Sequence, residues 1–230
     1  MKFNNKIIKT TFLRRPNRFQ AYVILHGKEI MVHVPNTGRC REILKPNTDI
    51  ILRKEDNPTR KTAYDLIAGY KDGKLINIDS QVPNKVVLEA LSNKKIDKLI
   101  KYNIIEKEKT FGKSRFDFKL SNENKEIYYL EVKGVTLEED GYCLFPDAPT
   151  ERGTKHVLEL IDVINNGMNA GILFLIQIED VKCFSTNGEM DTKFAEAVKL
   201  AKNKGVDLFA YSCIVKEDSI ELYKEIEIIL

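Results

Sequence analysis

The chain has 230 residues, with 37 Lys and Arg against 34 Asp and Glu and an apolar fraction of 43%. That composition excludes wholesale disorder, and the length suffices for one large domain or two small ones with a substantial core. The net charge of +3 hides an asymmetry: residues 1–84 carry 16 basic and 8 acidic side chains, a net of +8, whereas residues 85–230 carry 21 and 26, a net of −5. A basic front half points to an anionic partner there.

Cys40, Cys143, Cys183 and Cys213 show no C-x-x-C spacing. This argues against a zinc site or a disulfide framework and for reduced, buried thiols. The opening MKFNNKIIKTTFLRRPNRF lacks the apolar run of a signal peptide. The longest apolar stretch, AGILFLIQI, is far short of the roughly 20 residues a membrane helix needs. A soluble, cytoplasmic protein with no membrane association is expected.

The front third reads as β. Residues 19–25 and 29–34 flank a short loop, His26-Gly27-Lys28, and 49–54, 62–70 and 74–78 read as further short strands punctuated by prolines. Several short strands in about 80 residues suggest a small barrel, of which an OB-like barrel is one form. The character changes at Val82-Pro83-Asn84, where the domain boundary is placed: residues 1–82 form the barrel and 83–230 a second domain. Asn84 is the expected cap of a helix through Ser92, with a second helical stretch over 96–102. Three β segments follow (104–109, 114–120 and 127–135), then a helix from Thr154 to about Asn166, stopped by Gly167. A buried strand over 171–178, a helix over 192–203 and a strand over 206–215 complete the order α-β-β-β-α-β-α-β. The expected fold class is therefore mixed α/β (α+β): a small N-terminal barrel and a C-terminal mixed-sheet domain.

The segment SRFDFKL-SNENKE-IYYLEVKGV carries the chemistry. In its first strand Arg115, Asp117 and Lys119 alternate with Phe116, Phe118 and Leu120; in its second, Tyr129, Glu131 and Lys133 share a face. The intervening turn makes the strands antiparallel, so residues whose numbers sum to about 248 lie opposite, and Asp117 faces Glu131. Facing carboxylates need a cation between them. Mg²⁺ or Mn²⁺ suits oxygen ligands, and Lys133 on the same face can orient an attacking water or stabilise developing charge. An acid on one strand and E-x-K on the next is the layout of a metal-dependent phosphodiesterase. The alternative is a solvated hairpin face whose acids are neutralised by Arg115, Lys119 and Lys133. Glu89, on the preceding helix, is read as a third metal ligand or as a partly exposed helix acid.

Lys155, Glu159 and Asp162 share the polar stripe of the next helix, and Lys155 near its start is placed to meet a phosphate. An exposed surface pair of Lys155 with Glu159 is the competing reading. Arg152 lies just before them, and His156 is assigned to capping or packing in preference to catalysis. In the front domain Arg14, Arg15, Arg18, Arg39, Arg41, Arg53, Arg60 and Lys61 form a basic set, with Phe12, Phe19 and Tyr22 interleaved. Such mixtures track phosphates and stack bases, or form an ordinary solvated face.

The stretches HVPNTGR, RKTAYDL, VPN with LEA, SRFDF, YLEVKGVTL and FPDAPTERGTKH, in this order, resemble the sugar fermentation stimulation protein A family over nearly the whole chain. The resemblance implies an N-terminal OB-like domain and a C-terminal domain similar to PD-(D/E)XK (restriction-endonuclease-like) nucleases. It also implies DNA binding, linked to the regulation of sugar-utilisation genes. The nuclease-like pattern falls on Asp117, Glu131 and Lys133, with Glu89 as the helix acid. Arg115 and Arg152 join the barrel arginines as expected nucleic-acid contacts. The expected function is Mg²⁺-dependent hydrolysis of nucleic acid; the alternative is a non-catalytic DNA-binding regulator. Oligomeric state, a homodimer included, stays open.

Overall fold

The computed structural model describes residues 1–230. Strands β1 (Ile7–Arg14), β2 (Gln20–Leu25), β3 (Lys28–His33), β4 (Asp49–Lys54) and β5 (Tyr64–Lys71) close a five-stranded barrel, and β6 (Lys74–Asn77) extends it beside β5. Closure comes from one parallel register, His33 opposite Asp65. Alternation drives the barrel: in β2, Ala21, Val23 and Leu25 turn inward while Gln20, Tyr22 and Ile24 stay partly exposed. The β2–β3 loop is His26-Gly27, both at positive φ (52° and 74°), which matches the two-residue hairpin turn that follows strand twist. Strand β1 escaped the sequence reading because its Lys9, Thr10 and Thr11 interrupt any apolar run.

Helix α1 (Val82–Ser92) begins earlier than the Asn84 cap expected: Gln81 is the N-cap, Pro83 sits in the first turn, and Asn84 lies inside the helix. The second helical stretch reduces to a single 3-10 turn, Asp97–Leu99. Strands β7 (Ile104–Phe111), β8 (Ser114–Ser121) and β9 (Ile127–Val135) form an antiparallel meander. Two short strands, β10 (Leu137–Glu139) and β11 (Tyr142–Phe145), lead to α2 (Glu151–Asn165), whose cap is Thr150 and not Thr154. Then come β12 (Asn169–Ile176), β13 (Cys183–Thr186), α3 (Thr192–Asn203), β14 (Asp207–Lys216), β15 (Ser219–Glu225) and β16 (Glu227–Ile229).

The main sheet runs β15-β14-β12-β9-β8-β7, parallel at its centre and antiparallel at both edges; β10-β11-β13-β16 form a second, smaller sheet. Central β12 is buried everywhere except Asn169, as a strand covered on both faces must be. Val86, Val87 and Ala90 of α1 pack with Leu130, Val132 and Leu173 on one face. Val157, Leu160 and Phe194 of α2 and α3 pack with Tyr129, Ile172 and Phe174 on the other. That second cluster also contains Phe12, Val23, Val32 and Leu52, so the barrel core and the sheet core are continuous. All four cysteines are free and buried, and no helix is long and apolar enough to cross a membrane.

Candidate functional site

The β8–β9 register fulfils the expected sum: Phe118 pairs with Leu130, Lys119 with Tyr129 and Leu120 with Tyr128. Regular pairing ends at Phe118–Leu130, one residue short of Asp117 and Glu131. There two apolar residues of β8, Phe116 and Phe118, enter different cores. Phe116 packs on Tyr129 and His156, whereas Phe118 belongs to the core under α1. Asp117 Oδ1 accepts from Asn84 Nδ2 at 2.7 Å, and Oδ2 accepts from the Val132 backbone N–H at 2.7 Å. Its carboxylate thus lies against the Glu131–Val132 backbone.

Glu131 is 3% exposed, yet charged. Its Oε1 accepts from Lys133 Nζ at 2.6 Å and from His156 Nδ1 at 2.6 Å; its Oε2 is buried and has no protein partner. Burial opposes the Glu131 charge, but the His156 hydrogen bond and the Lys133 ammonium outweigh it and hold the carboxyl below its ordinary range. Asp117 moves the other way: burial first, then the Glu131 charge, raise its carboxyl above the ordinary aspartate range. Neighbouring acids pushed apart are a mark of functional sites. A hard divalent cation bound through one or two carboxylates, with waters retained, fits Asp117 and the unpartnered Glu131 oxygen.

His156 is buried at 6% exposure, and Arg152 Nε lies 3.5 Å from its Nε2. His156 Nδ1 thus faces Glu131 at 2.6 Å while Nε2 faces the Arg152 guanidinium. The sequence reading placed His156 in packing; the missed signal was its helical spacing, three residues before Glu159 on α2, toward the sheet face that carries Glu131.

Other expected residues lie elsewhere. Glu89 is exposed and pairs with the Met1 α-amino group at 2.5 Å, because the helix begins at Val82 and turns Asn84, not Glu89, toward Asp117. No three His, Cys, Asp or Glu side chains come together, so the protein's carboxylate set is two. Lys155 Nζ donates to the Lys113 carbonyl at 3.2 Å and lies 3.6 Å from Glu159, on the helix surface.

The barrel arginines divide. Arg53 bonds Glu55, Asp65 and Asp79, and Arg60 bonds Asp65 and Glu55, so both are neutralised internally and neither belongs to a free basic face. Arg14 pairs with Glu29 at 2.6 Å and stacks on Tyr22, with 3.8 Å from its guanidinium carbon to the ring centroid. Arg115 pairs with Glu108 at 3.5 Å on an exposed edge. Phe12 is in the barrel core, not on its surface. Arg15 clamps two loops by donating to the carbonyls of Arg18, Asn36 and Arg39. That leaves Arg18, Arg39 and Arg41, with no carboxylate partner, along a cleft of about 1090 Å³ between the barrel and the Phe145–Thr150 loop. Exposed Phe19, at 55%, adjoins Arg18 in sequence, and Lys61 is exposed.

Comparison with known proteins places this geometry. Residues 13–78 match the SfsA N-terminal OB domain, and residues 81–219 match the sugar fermentation stimulation protein RE domain. Sugar fermentation stimulation protein homologs of Clostridium perfringens and Clostridium tetani are each 65% identical over 230 residues, covering 100% of both chains. The Clostridium botulinum homolog is 66% identical over 228 residues, 99% of each chain. The solved structure of Pyrococcus furiosus SfsA in complex with Ca²⁺ superposes with a TM-score of 0.90 at 27% identity, covering 100% of both chains. The chain belongs to the sugar fermentation stimulation protein family.

Proposed function

We propose that the protein is a divalent-metal-dependent hydrolase of phosphodiester bonds in nucleic acid, DNA in the first place, with a C-terminal domain of the PD-(D/E)XK kind. The observation that carries this is the buried, unpartnered Glu131 Oε2 beside Asp117, with Lys133 two residues along the same strand. Asp117 and Glu131 would hold Mg²⁺ or Mn²⁺, and the Ca²⁺ complex of the Pyrococcus furiosus relative supports a hard cation. When bound, such an ion neutralises charge developing on a phosphoryl oxygen and acidifies water.

The chain's own groups do the remainder. Asn84 and the Val132 N–H fix the Asp117 carboxylate. His156 fixes Glu131 through Oε1 and leaves Oε2 for the ion. Lys133, 16% exposed and bonded to Glu131 Oε1 at 2.6 Å, would orient the attacking water and meet the phosphate through its ammonium. Arg18, Arg39 and Arg41 follow the backbone of the strand. Four buried thiols outside any disulfide suit a reducing cytoplasm.

The test is a cleavage assay on single- and double-stranded DNA and on RNA with Mg²⁺ or Mn²⁺. Cleavage by the wild type that disappears in both Glu131→Ala and Lys133→Ala supports the hydrolase. Cleavage unchanged by either variant contradicts it. A second reading, a non-catalytic DNA-binding regulator, is favoured by the position of Glu89, which pairs with the Met1 α-amino group and leaves two carboxylates at the site. It predicts salt-sensitive binding with no cleavage under any metal.

A further inference from the structure

Gln177 follows β12 at the seam between the two halves of the molecule. Its backbone is fully used: the N–H donates to the Val135 carbonyl at 2.9 Å, and its carbonyl accepts from the Asn77 N–H of the barrel at 3.2 Å. Its side chain is not. The residue is 1% exposed, yet Oε1 has no partner in the protein. A desolvated amide oxygen left unpaired is destabilising, and a leucine of similar volume would fill the place without that cost.

This amide lines a cavity of about 110 Å³. The cavity depends on a glycine: a Cβ on Gly134 would stand 2.7 Å from Pro83 Cγ and 3.3 Å from Gln177 Nε2. Pro83, Leu137, Leu144 and Phe145 give it apolar walls, and the Asp147 carboxylate lines it as well. Asp147 disfavours an anionic guest. The chemistry asked for is a neutral group with apolar faces and N–H donors on its edge, for Gln177 Oε1 and Asp147 to accept. A nucleobase with an exocyclic amine has those properties, and carboxamides read base edges in this way. Gly134 follows Lys133 on β9, and its Cβ position meets Pro83 of α1, so the cavity lies on the strand face opposite Glu131 and Lys133.

We propose that this cavity is a nucleobase subsite, with Gln177 reading the edge of an adenine or cytosine. The inference rests on the nucleic-acid reading above. Because the pairing edge is engaged, the base is unpaired, either in a single strand or turned out of a duplex.

The experiment measures fluorescence anisotropy of single-stranded dA, dC and dT homopolymers, with EDTA present, on wild type, Gln177→Leu, Gln177→Met and Glu131→Gln. The wild type is expected to prefer dA or dC over dT by about 10-fold, as one well-placed base contact gives. In Gln177→Leu and Gln177→Met that preference falls to within about 2-fold, while their melting temperatures rise by about 2–4 °C through loss of the unpaired amide. Glu131→Gln keeps the preference, so failure of the hydrolase reading leaves the subsite standing. Binding without base preference, a preference unchanged by both Gln177 variants, or a lower melting temperature in both overturns the subsite. No binding of any homopolymer overturns the nucleic-acid reading itself.

Discussion

One oxygen of Glu131 carries two donors and the other carries none, and the site's chemistry follows from that imbalance. His156 acts on the site through Glu131, which makes it a positioning residue. Asparagine keeps a donor where the imidazole Nδ1 stands, and leucine does not. His156→Asn should therefore bind Mn²⁺ nearly as the wild type does, whereas His156→Leu should lose about 10-fold or more in affinity. Equal losses in the two variants, measured by electron paramagnetic resonance of free Mn²⁺, would leave His156 a packing residue. The two acids also respond oppositely to pH. Asp117 holds its proton more tightly folded than unfolded, so its contribution to stability declines as pH rises through its folded value. Glu131 contributes above the ordinary glutamate range and loses that contribution as pH falls through its lower folded value. In metal-free protein the Asp117 carboxyl should titrate above the ordinary aspartate range by ¹³C NMR, and closer to it in Glu131→Gln. A midpoint that does not move would show that burial alone raises it.

Among the elements, α2 carries His156 and Glu159, and its start is fixed by Thr150, which accepts from the Gly153 N–H at 3.0 Å. Thr150→Ala should cost about 1 kcal/mol, the ordinary worth of such a cap, read by urea unfolding. No loss would mean that the Thr150 N–H bond to Asp191 suffices to set the helix start. What was legible in the sequence was periodic. The β8–β9 register came directly from alternation and a short turn, and it ends one residue short of Asp117 and Glu131. The α3 range, Thr192–Asn203, was read without error. What was not legible depended on end effects and on partners remote in sequence. Pro83 allowed α1 to start at Val82, which moved Asn84 from cap to hydrogen-bond partner of Asp117 and turned Glu89 toward Met1. Strands β10, β11, β13, β15 and β16 are short or charged, and their pairing across the fold, not their local pattern, makes them strands. The barrel arginines looked alike in sequence because Asp65 and Asp79, which neutralise Arg53, are 12 and 26 residues away.

For the whole molecule, the asymmetry between the +8 front and the −5 back reduces to a few groups. Much of the front charge is cancelled internally, and the arginines without partners, Arg18, Arg39 and Arg41, face a cleft that the Phe145–Thr150 loop also lines. The halves are joined through a common core and by Tyr70–Glu217, Lys71–Glu138 and Lys74–Asp180 contacts, so this cleft exists before any partner arrives. Replacing the three arginines with alanine should reduce the slope of log affinity against log salt by roughly 0.7 per residue on single-stranded DNA. Removing the Arg14–Glu29 pair together should leave that slope unchanged. An equal change in both variants would mean that the basic face is diffuse and the cleft is not its focus.

The central claim is that Asp117 and Glu131 form a site for a divalent cation. Its most direct test is isothermal calorimetry of the protein with Mn²⁺. The account predicts saturable binding to the wild type, lost in both Asp117→Asn and Glu131→Gln while each variant keeps its fold by circular dichroism. Saturable binding that survives in both variants, or none in the wild type at millimolar Mn²⁺, would contradict it.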